Sequence, residues 1–439
     1  MVTGPPTLSK RRLIAGAAGL LAAAASSGAY AATQQELEAK LDALSAQVAD
    51  LRSELAALRA QRAATSSPSS GAGATGAIGA APFPSAESDS VGKVRWSGYG
   101  ELNYSRPSDN SAAAVADTGR FVLGASYRFD DTTRFVSELE LEHAVSSAED
   151  PGEVEIEQAY IERRLGDRIF AKVGLFLIPV GMLNETHEPT RYYGVFRNFI
   201  DTAIIPTTWR EGGLAVQGNT DTGLRWDVGI STGFNLSKWD ATSADSLAEP
   251  LGAIHQELAL AAAGDLAQFL ALNYTGIPGL RLGASVFTGD SAQGQPGFDN
   301  NRITLWEGHA RWNPGNWDLS AIYARGHIAN TRPINLTLAG NPALIPESFF
   351  GWYVEAAYRA TLANEWTFAP FLRYELFNTA SSYASLGPGI TPDPLEDEKV
   401  LTAGFNIEIA RGVVLKLDYL NFQRDNDQDR FDLGLGYQF

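Results

Sequence analysis

The chain has 439 residues, 51 acidic side chains against 34 basic, a formal net charge of −17 and no cysteine. Without cysteine there is no disulfide scaffold, thiolate metal site or cysteine nucleophile. The acidic balance argues against nucleic acid as a partner, because phosphate binding needs clustered Lys and Arg. Mean hydropathy is −0.13, and the longest apolar run, residues 13–25, falls short of the about 20 residues a spanning helix needs. A membrane β-barrel remains compatible, since its alternating strands average to a mildly polar composition.

The first ninety residues read as three segments. Lys10, Arg11 and Arg12 precede the apolar run, and Ala29-Tyr30-Ala31 follows it. This is the pattern of a secretory signal peptide over residues 1–31; the adjacent arginines leave both the general and the twin-arginine export routes open. Next, Leu37, Leu41, Leu44, Val48, Leu51, Leu55 and Leu58 recur at alternating spacings of four and three. That is a coiled-coil seam, which predicts an oligomerising helix over residues 33–62, roughly 45 Å long, on the periplasmic side. The alternative is a helix packed on its own domain. Residues 63–90, rich in Ala, Gly, Ser and Pro, read as a linker.

From residue 91 onward, period-2 alternation dominates. Trp226, Val228 and Ile230 alternate with Arg225, Asp227 and Gly229; Leu433, Leu435 and Tyr437 alternate with Asp432, Gly434 and Gly436. Strands are predicted near 93–105, 119–129, 133–144, 153–165, 168–178, 211–219, 222–235, 265–275, 279–289, 302–312, 316–327, 350–360, 364–377, 397–410, 412–424 and 429–439. Aromatic pairs at strand ends (Trp96/Tyr104, Tyr127/Phe129, Trp226/Phe234, Tyr437/Phe439) suggest membrane girdles, and short polar turns alternate with long loops. The fold class expected is therefore all-β: a sixteen-stranded antiparallel transmembrane barrel over residues 91–439, with outer-membrane lipid around it and water inside. Fourteen or eighteen strands are the alternatives. The terminal Phe439 is similar to the signal that barrel-assembly machinery reads.

Residues 179–210 break the alternation. They mix Glu185, His187, Glu188, Arg191, Arg197, Asp201 and Arg210 with Tyr192, Tyr193, Phe196 and Phe199. A polar loop of this length is more than a connector. Folded inward, it would constrict the lumen with both charge signs; the alternative is an external cover. Arg95, Arg120, Arg128 and Arg134 lie on the polar phase of the first three strands, as pore-lining candidates. Glu138, Glu140 and Glu142 share one face of the third strand, and Glu153, Glu155 and Glu157 one face of the fourth. These rows are either solvated faces or a cation-attracting wall.

The run from Gly174 to Gly181, with Asn184-Glu185 and the later run from Ile204 to Gly212, resembles the phosphate-selective porin O and P family of outer-membrane porins. The resemblance implies a sixteen-stranded trimeric channel in the cell outer membrane, its third external loop folded inside, passing small charged solutes passively, with phosphate-like anions as the family's cargo. It implies no enzyme activity. Yet such anion channels use a ladder of lysines, and residues 91–439 hold five: Lys93, Lys172, Lys238, Lys399 and Lys416. A barrel enzyme such as a lipase, and a tether with the barrel as anchor, are the competing functions. No cofactor or metal is expected: the five histidines show no ligand spacing, and residues 425–429, though rich in oxygen ligands of the kind calcium takes, read as a solvated acidic loop. Residues 247–263 are expected to be partly helical.

Overall fold

The structure is a computed structural model and describes residues 93–439 except residue 364. The signal peptide, the heptad helix and the linker lie outside the described residues.

Sixteen antiparallel strands form one closed sheet among the described residues. They are β1 (Val94–Pro107), β2 (Val115–Arg128), β3 (Thr133–Glu142), β4 (Val154–Arg164), β5 (Ile169–Leu177) and β6 (Arg210–Asn219). Next in the wall come β7 (Leu224–Thr232), β8 (Leu266–Ile277), β9 (Leu280–Asp290), β10 (Arg302–Trp312) and β11 (Trp317–Ile328). β12 (Ser348–Tyr358) carries a two-residue extension, Ala360–Thr361, that pairs with the same neighbour. β13 (Thr367–Ser382), β14 (Glu398–Ala410), β15 (Val413–Phe422) and β16 (Arg430–Gln438) complete the wall. Each strand pairs with its chain neighbours, and β16 pairs back onto β1, so no edge is left open. The even count puts Val94 and Phe439 at one end, where the turns are short; the long loops all leave the other end.

The predicted strands match within a few residues, except where the wall runs taller. The first hairpin continues to Pro107 and Val115, and β13 continues to Ser382, where it pairs with Ser348. The predicted helical stretch at 247–263 reduces to a single turn, Asp245–Ala248, and a 3₁₀ turn at Gly252–Ile254.

Alternation sorts the side chains as lipid requires. Val228, Ile230, Leu270, Leu272, Trp306, Val354 and Leu372 point outward and are exposed, a band that water would not tolerate but hydrocarbon does. Trp312, Trp317 and Tyr358 stand outward beside the short turns, Trp317 edge-on to Tyr358 at 5.2 Å. No helix among the described residues is long and apolar enough to cross a membrane, so any crossing is made by strands. Phe234 departs from its expected girdle position. β7 stops at Thr232, the alternation ends there, and Phe234 turns inward to stack on Trp209 at 5.1 Å.

One β-bulge reshapes the inner face of the wall. Between β3 and β4 the register slips after Glu138, so that Glu157 is an extra residue on β4. A bulge re-aims side chains locally. Here it lets Glu157 and Gln158 both serve the inner face before the alternation resumes at Tyr160 and Glu162.

Candidate constriction site

The segment between β5 and β6 folds into the barrel. Its own sequence explains this: Val180, Met182, Leu183, Val195, Ile200, Ile204, Ile205 and Trp209 are all nearly or fully buried. Each such side chain withdrawn from water contributes about 1.5–3 kcal/mol. Outside the barrel the loop would have no apolar partner of comparable size. Inside, its long-loop end joins Phe176, Phe287, Phe349 and Phe377 from the wall, and Phe234 just beyond β7, in a single apolar cluster.

The loop base is closed by one residue. Asn184 donates from Nδ2 to the Ile178 carbonyl (2.7 Å) and the Trp209 carbonyl (2.8 Å), and its Oδ1 accepts from the Trp209 N–H at 2.7 Å. The two ends of the excursion are thus clamped together. Beside it, Glu185 accepts from Arg225 on β7 at 2.8 Å and faces Lys172 on β5 at 3.8 Å. Burial alone would raise the Glu185 carboxyl; the Arg225 guanidinium and the Lys172 ammonium overcome it and hold Glu185 below the usual carboxylate range.

From there the loop is tied to the wall around the circumference. His187 reaches β1 and β4: its Nε2 lies 2.5 Å from the Tyr99 hydroxyl oxygen and 2.9 Å from Glu157 Oε1, and its Nδ1 lies 2.8 Å from the Asn184 carbonyl. Arg120 on β2 donates to the His187 carbonyl at 2.6 Å and to Glu101 on β1 at 2.8 Å. The Tyr192 hydroxyl donates to Glu101 at 3.0 Å, and Lys416 on β15 stands 3.6 Å from the Tyr192 ring centre. Tyr193 donates to Asp318 on β11 at 3.1 Å and stacks on Phe371 of β13. The Val195 N–H donates to Asp418 on β15 at 2.6 Å, and the Phe199 N–H to Glu375 on β13 at 2.7 Å. Glu188 accepts from Gln438 on β16 at 3.1 Å.

Two glycines make room for this. A Cβ on Gly434 would lie 3.0 Å from Val195, and one on Gly436 would lie 2.7 Å from Pro189. Inward-facing glycine on β16 admits the loop backbone where any larger residue would push it away.

The sequence-predicted site residues fall into three groups. Glu185, His187, Glu188, Arg191, Arg197 and Asp201 are on the inward loop. Arg191 is exposed, 3.8 Å from Glu188, and Arg197 donates to Thr208 at 3.4 Å. Asp201 is 1% exposed; burial pushes its carboxyl up to about 6, against the Asn198 amide that donates to it at 2.8 Å. Arg210 departs from its expected place in the loop. It is the first residue of β6 and bridges Glu155 of β4 and Glu257. Of the wall arginines, Arg120 and Arg134 pair with Glu101 and Glu162 at 2.8 Å, whereas Arg95 is exposed and Arg128 half-buried beside the short turns. Glu138, Glu140 and Glu142 do share one face, and Glu140 is buried at 3% exposure. The partners the sequence did not single out are Tyr99, Glu101, Lys172, Arg225, Asp318, Arg373, Glu375 and Asp418. Tyr99, Glu101, Arg225 and Asp418 sit on the polar phase of their strands, which was the available signal. Among the described residues no group of three His, Asp or Glu side chains is arranged to hold a metal.

No family model matches the chain. It is similar to an uncharacterized protein of Aquifex aeolicus (strain VF5), with 28% identity over 353 residues that cover 78% of this chain and 79% of that one. Among solved structures it is similar to Salmonella typhi OmpF in complex with daunomycin, with TM-score 0.56 and 14% identity over 79% of this chain and 97% of that one. It is also similar to the outer-membrane channel DcaP of Acinetobacter baumannii, with TM-score 0.50, 15% identity, and 79% and 97% coverage. The chain has the fold of the sixteen-stranded outer-membrane channels. At these identities the likeness extends to the fold, and solute preference has to be argued from this chain's own side chains.

Proposed function

We propose that this protein is a passive diffusion channel of a Gram-negative outer membrane, selecting small charged solutes at an eyelet formed by the inward loop. The observation that carries the proposal is the loop itself: residues 178–209 cross the lumen and are held by charged and aromatic partners from β1 to β16. A barrel that serves only as an anchor has no need of a charged inner loop braced on all sides, and wide lumens are narrowed this way when solutes must be sorted.

Cations are the preferred solutes in this reading. Four inner-face arginines on which anion binding would rest are engaged by carboxylates: Arg120 by Glu101, Arg210 by Glu155 and Glu257, Arg225 by Glu185 and Asp227, and Arg311 by Asp318, whereas Arg197 on the loop contacts Thr208. The β3 carboxylate row has no such set of counterions, so the phosphate preference of the resembled family is not carried over. A homotrimer, with the heptad helix at residues 33–62 in the periplasm assisting assembly, and Phe439 as the folding signal, completes the proposal. Planar-bilayer recording of the purified protein tests it. Discrete open-channel steps, with a reversal potential in a salt gradient of cation sign, are expected; absence of any conductance refutes the channel.

A further inference from the structure

The His187 contacts define a protonation state by geometry. Its Nδ1 faces the Asn184 carbonyl and its Nε2 faces the Glu157 carboxylate, both of which only accept. The Tyr99 hydroxyl already donates to Glu157 Oε2 at 2.9 Å, so its oxygen too is an acceptor toward Nε2. With Glu157 ionised, both ring nitrogens carry hydrogen and the ring is an imidazolium. It is 3% exposed, and Glu157 is fully buried.

We propose that His187 is a proton-operated latch of the channel: doubly protonated, it ties the turn at 184–188 of the inward loop to β1 and β4, and loss of one proton frees that turn and widens the eyelet beside it. The proposal rests on the channel reading and names the regulation of the same site. A neutral ring keeps its bond to the Asn184 carbonyl but turns a lone pair toward Glu157. That leaves a fully buried carboxylate with the Tyr99 hydroxyl alone, and breaking one partner of a buried ion pair is strongly destabilising. The contact is relieved when the turn at 184–188 leaves the wall and water reaches Glu157.

The surrounding charges set the direction. Glu157 on β4 and Glu138 and Glu140 on β3 favour the imidazolium; Arg120 on β2 and Arg197 on the loop oppose it; Tyr99 on β1 and Glu188 on the loop complete the neighbours. Burial alone would depress His187; the contact with Glu157 overrides it and holds the ring above its ordinary value. The latch is accordingly shut at neutral pH and releases as pH rises.

Two readouts test this independently. Single-channel conductance is recorded from pH 7 to pH 10. In parallel a nitroxide is placed at Arg191→Cys, an exposed position three residues beyond the turn and the single thiol of an otherwise cysteine-free chain, and its mobility is followed by electron paramagnetic resonance. A rise in conductance and in label mobility over one titration is expected. His187→Gln, which cannot titrate, is expected to abolish the step. Glu157→Gln is expected to move it ~1–3 pH units lower, because the stabilising charge is gone; recovery of the heat-modifiable barrel band certifies that each variant is folded. A flat wild-type profile with an immobile label overturns the latch while leaving any observed channel intact, and so does a wild-type step in His187→Gln. Label release without conductance at any pH supports the latch and refutes the channel.

Discussion

Trp209→Ala separates the stability of the loop from that of the barrel. The Trp209 indole is fully buried, stacked 5.1 Å from the Phe234 ring and 4.5 Å from Phe287, and its backbone is clamped by Asn184. The substitution leaves the backbone clamp in place and removes the whole ring. Loss of the transferred surface plus the cavity left behind costs about 3–5 kcal/mol for a residue of this size. That cost falls on the loop, because the β-ladders that close the wall hold none of their hydrogen bonds through Trp209 except where the Ile178 N–H donates to its carbonyl. At ~1.4 kcal/mol per factor of ten, amide exchange at residues 178–209 should accelerate about 10²- to 10⁴-fold. Strand peptides such as those from β10 and β11 should keep their protection. Hydrogen exchange read by mass spectrometry resolves the two. Unchanged loop exchange, or equal loss of protection in loop and strands, would refute the idea that the loop is a separately opening unit held by this core.

Three further outcomes rest on the same geometry. The Asp201 carboxyl, pushed up to about 6 by burial, destabilises the packed loop when ionised, since its folded value lies above the ordinary one; that penalty is absent below about pH 4 and complete above about pH 6. Asp201→Asn should therefore protect the loop by up to about 3 kcal/mol at pH 7.5 and not at pH 4, and equal effects at both pH values in hydrogen exchange would contradict it. Gly436→Leu places a side chain where Pro189 lies, so residues 189–195 should be displaced and single-channel conductance should change; an unaltered channel would mean that the loop does not rest on β16. Deleting residues 33–62 should leave a folded barrel whose oligomer band dissociates at lower temperature on heated gels, and an unchanged band would count against an oligomerising helix.

The wall was legible because a period of two is a strong local signal: Trp226, Val228 and Ile230 face out and Arg225 and Asp227 face in as the alternation requires. The loop was legible as an interruption, and Glu185, His187, Glu188, Arg191, Arg197 and Asp201 lie on the segment that turns inward. Its partners were not, for identifiable reasons. The bulge at Glu157 is invisible in a sequence where Glu153, Glu155 and Glu157 read as one alternating row. Tyr99 and His187 are 88 residues apart, and nothing local joins them. Gly434 and Gly436 were read as ordinary members of a polar phase, although consecutive small residues there are the imprint of a backbone packed against the strand. Phe234 looked like a girdle aromatic because the alternation gives no warning that β7 ends two residues earlier.

The net charge also gains a location. Residues 1–90 hold seven basic and seven acidic side chains, so the whole −17 belongs to residues 91–439. Part of it is built into the lumen as triads in which one arginine serves two carboxylates: Arg210 with Glu155 and Glu257, Arg225 with Glu185 and Asp227, and Arg373 with Glu355 and Glu375. The Arg210 and Arg373 triads each carry one excess negative charge, whereas Lys172 beside Glu185 balances the Arg225 triad; all three keep both carboxylates partnered, which an isolated acidic row cannot do at the same depth. An arginine held this way has fewer donors for a passing anion, because part of its fork is engaged by carboxylates. Under the cation preference proposed above, arginine content alone is a poor guide to selectivity, and the ratio of carboxylates to each arginine is the better one.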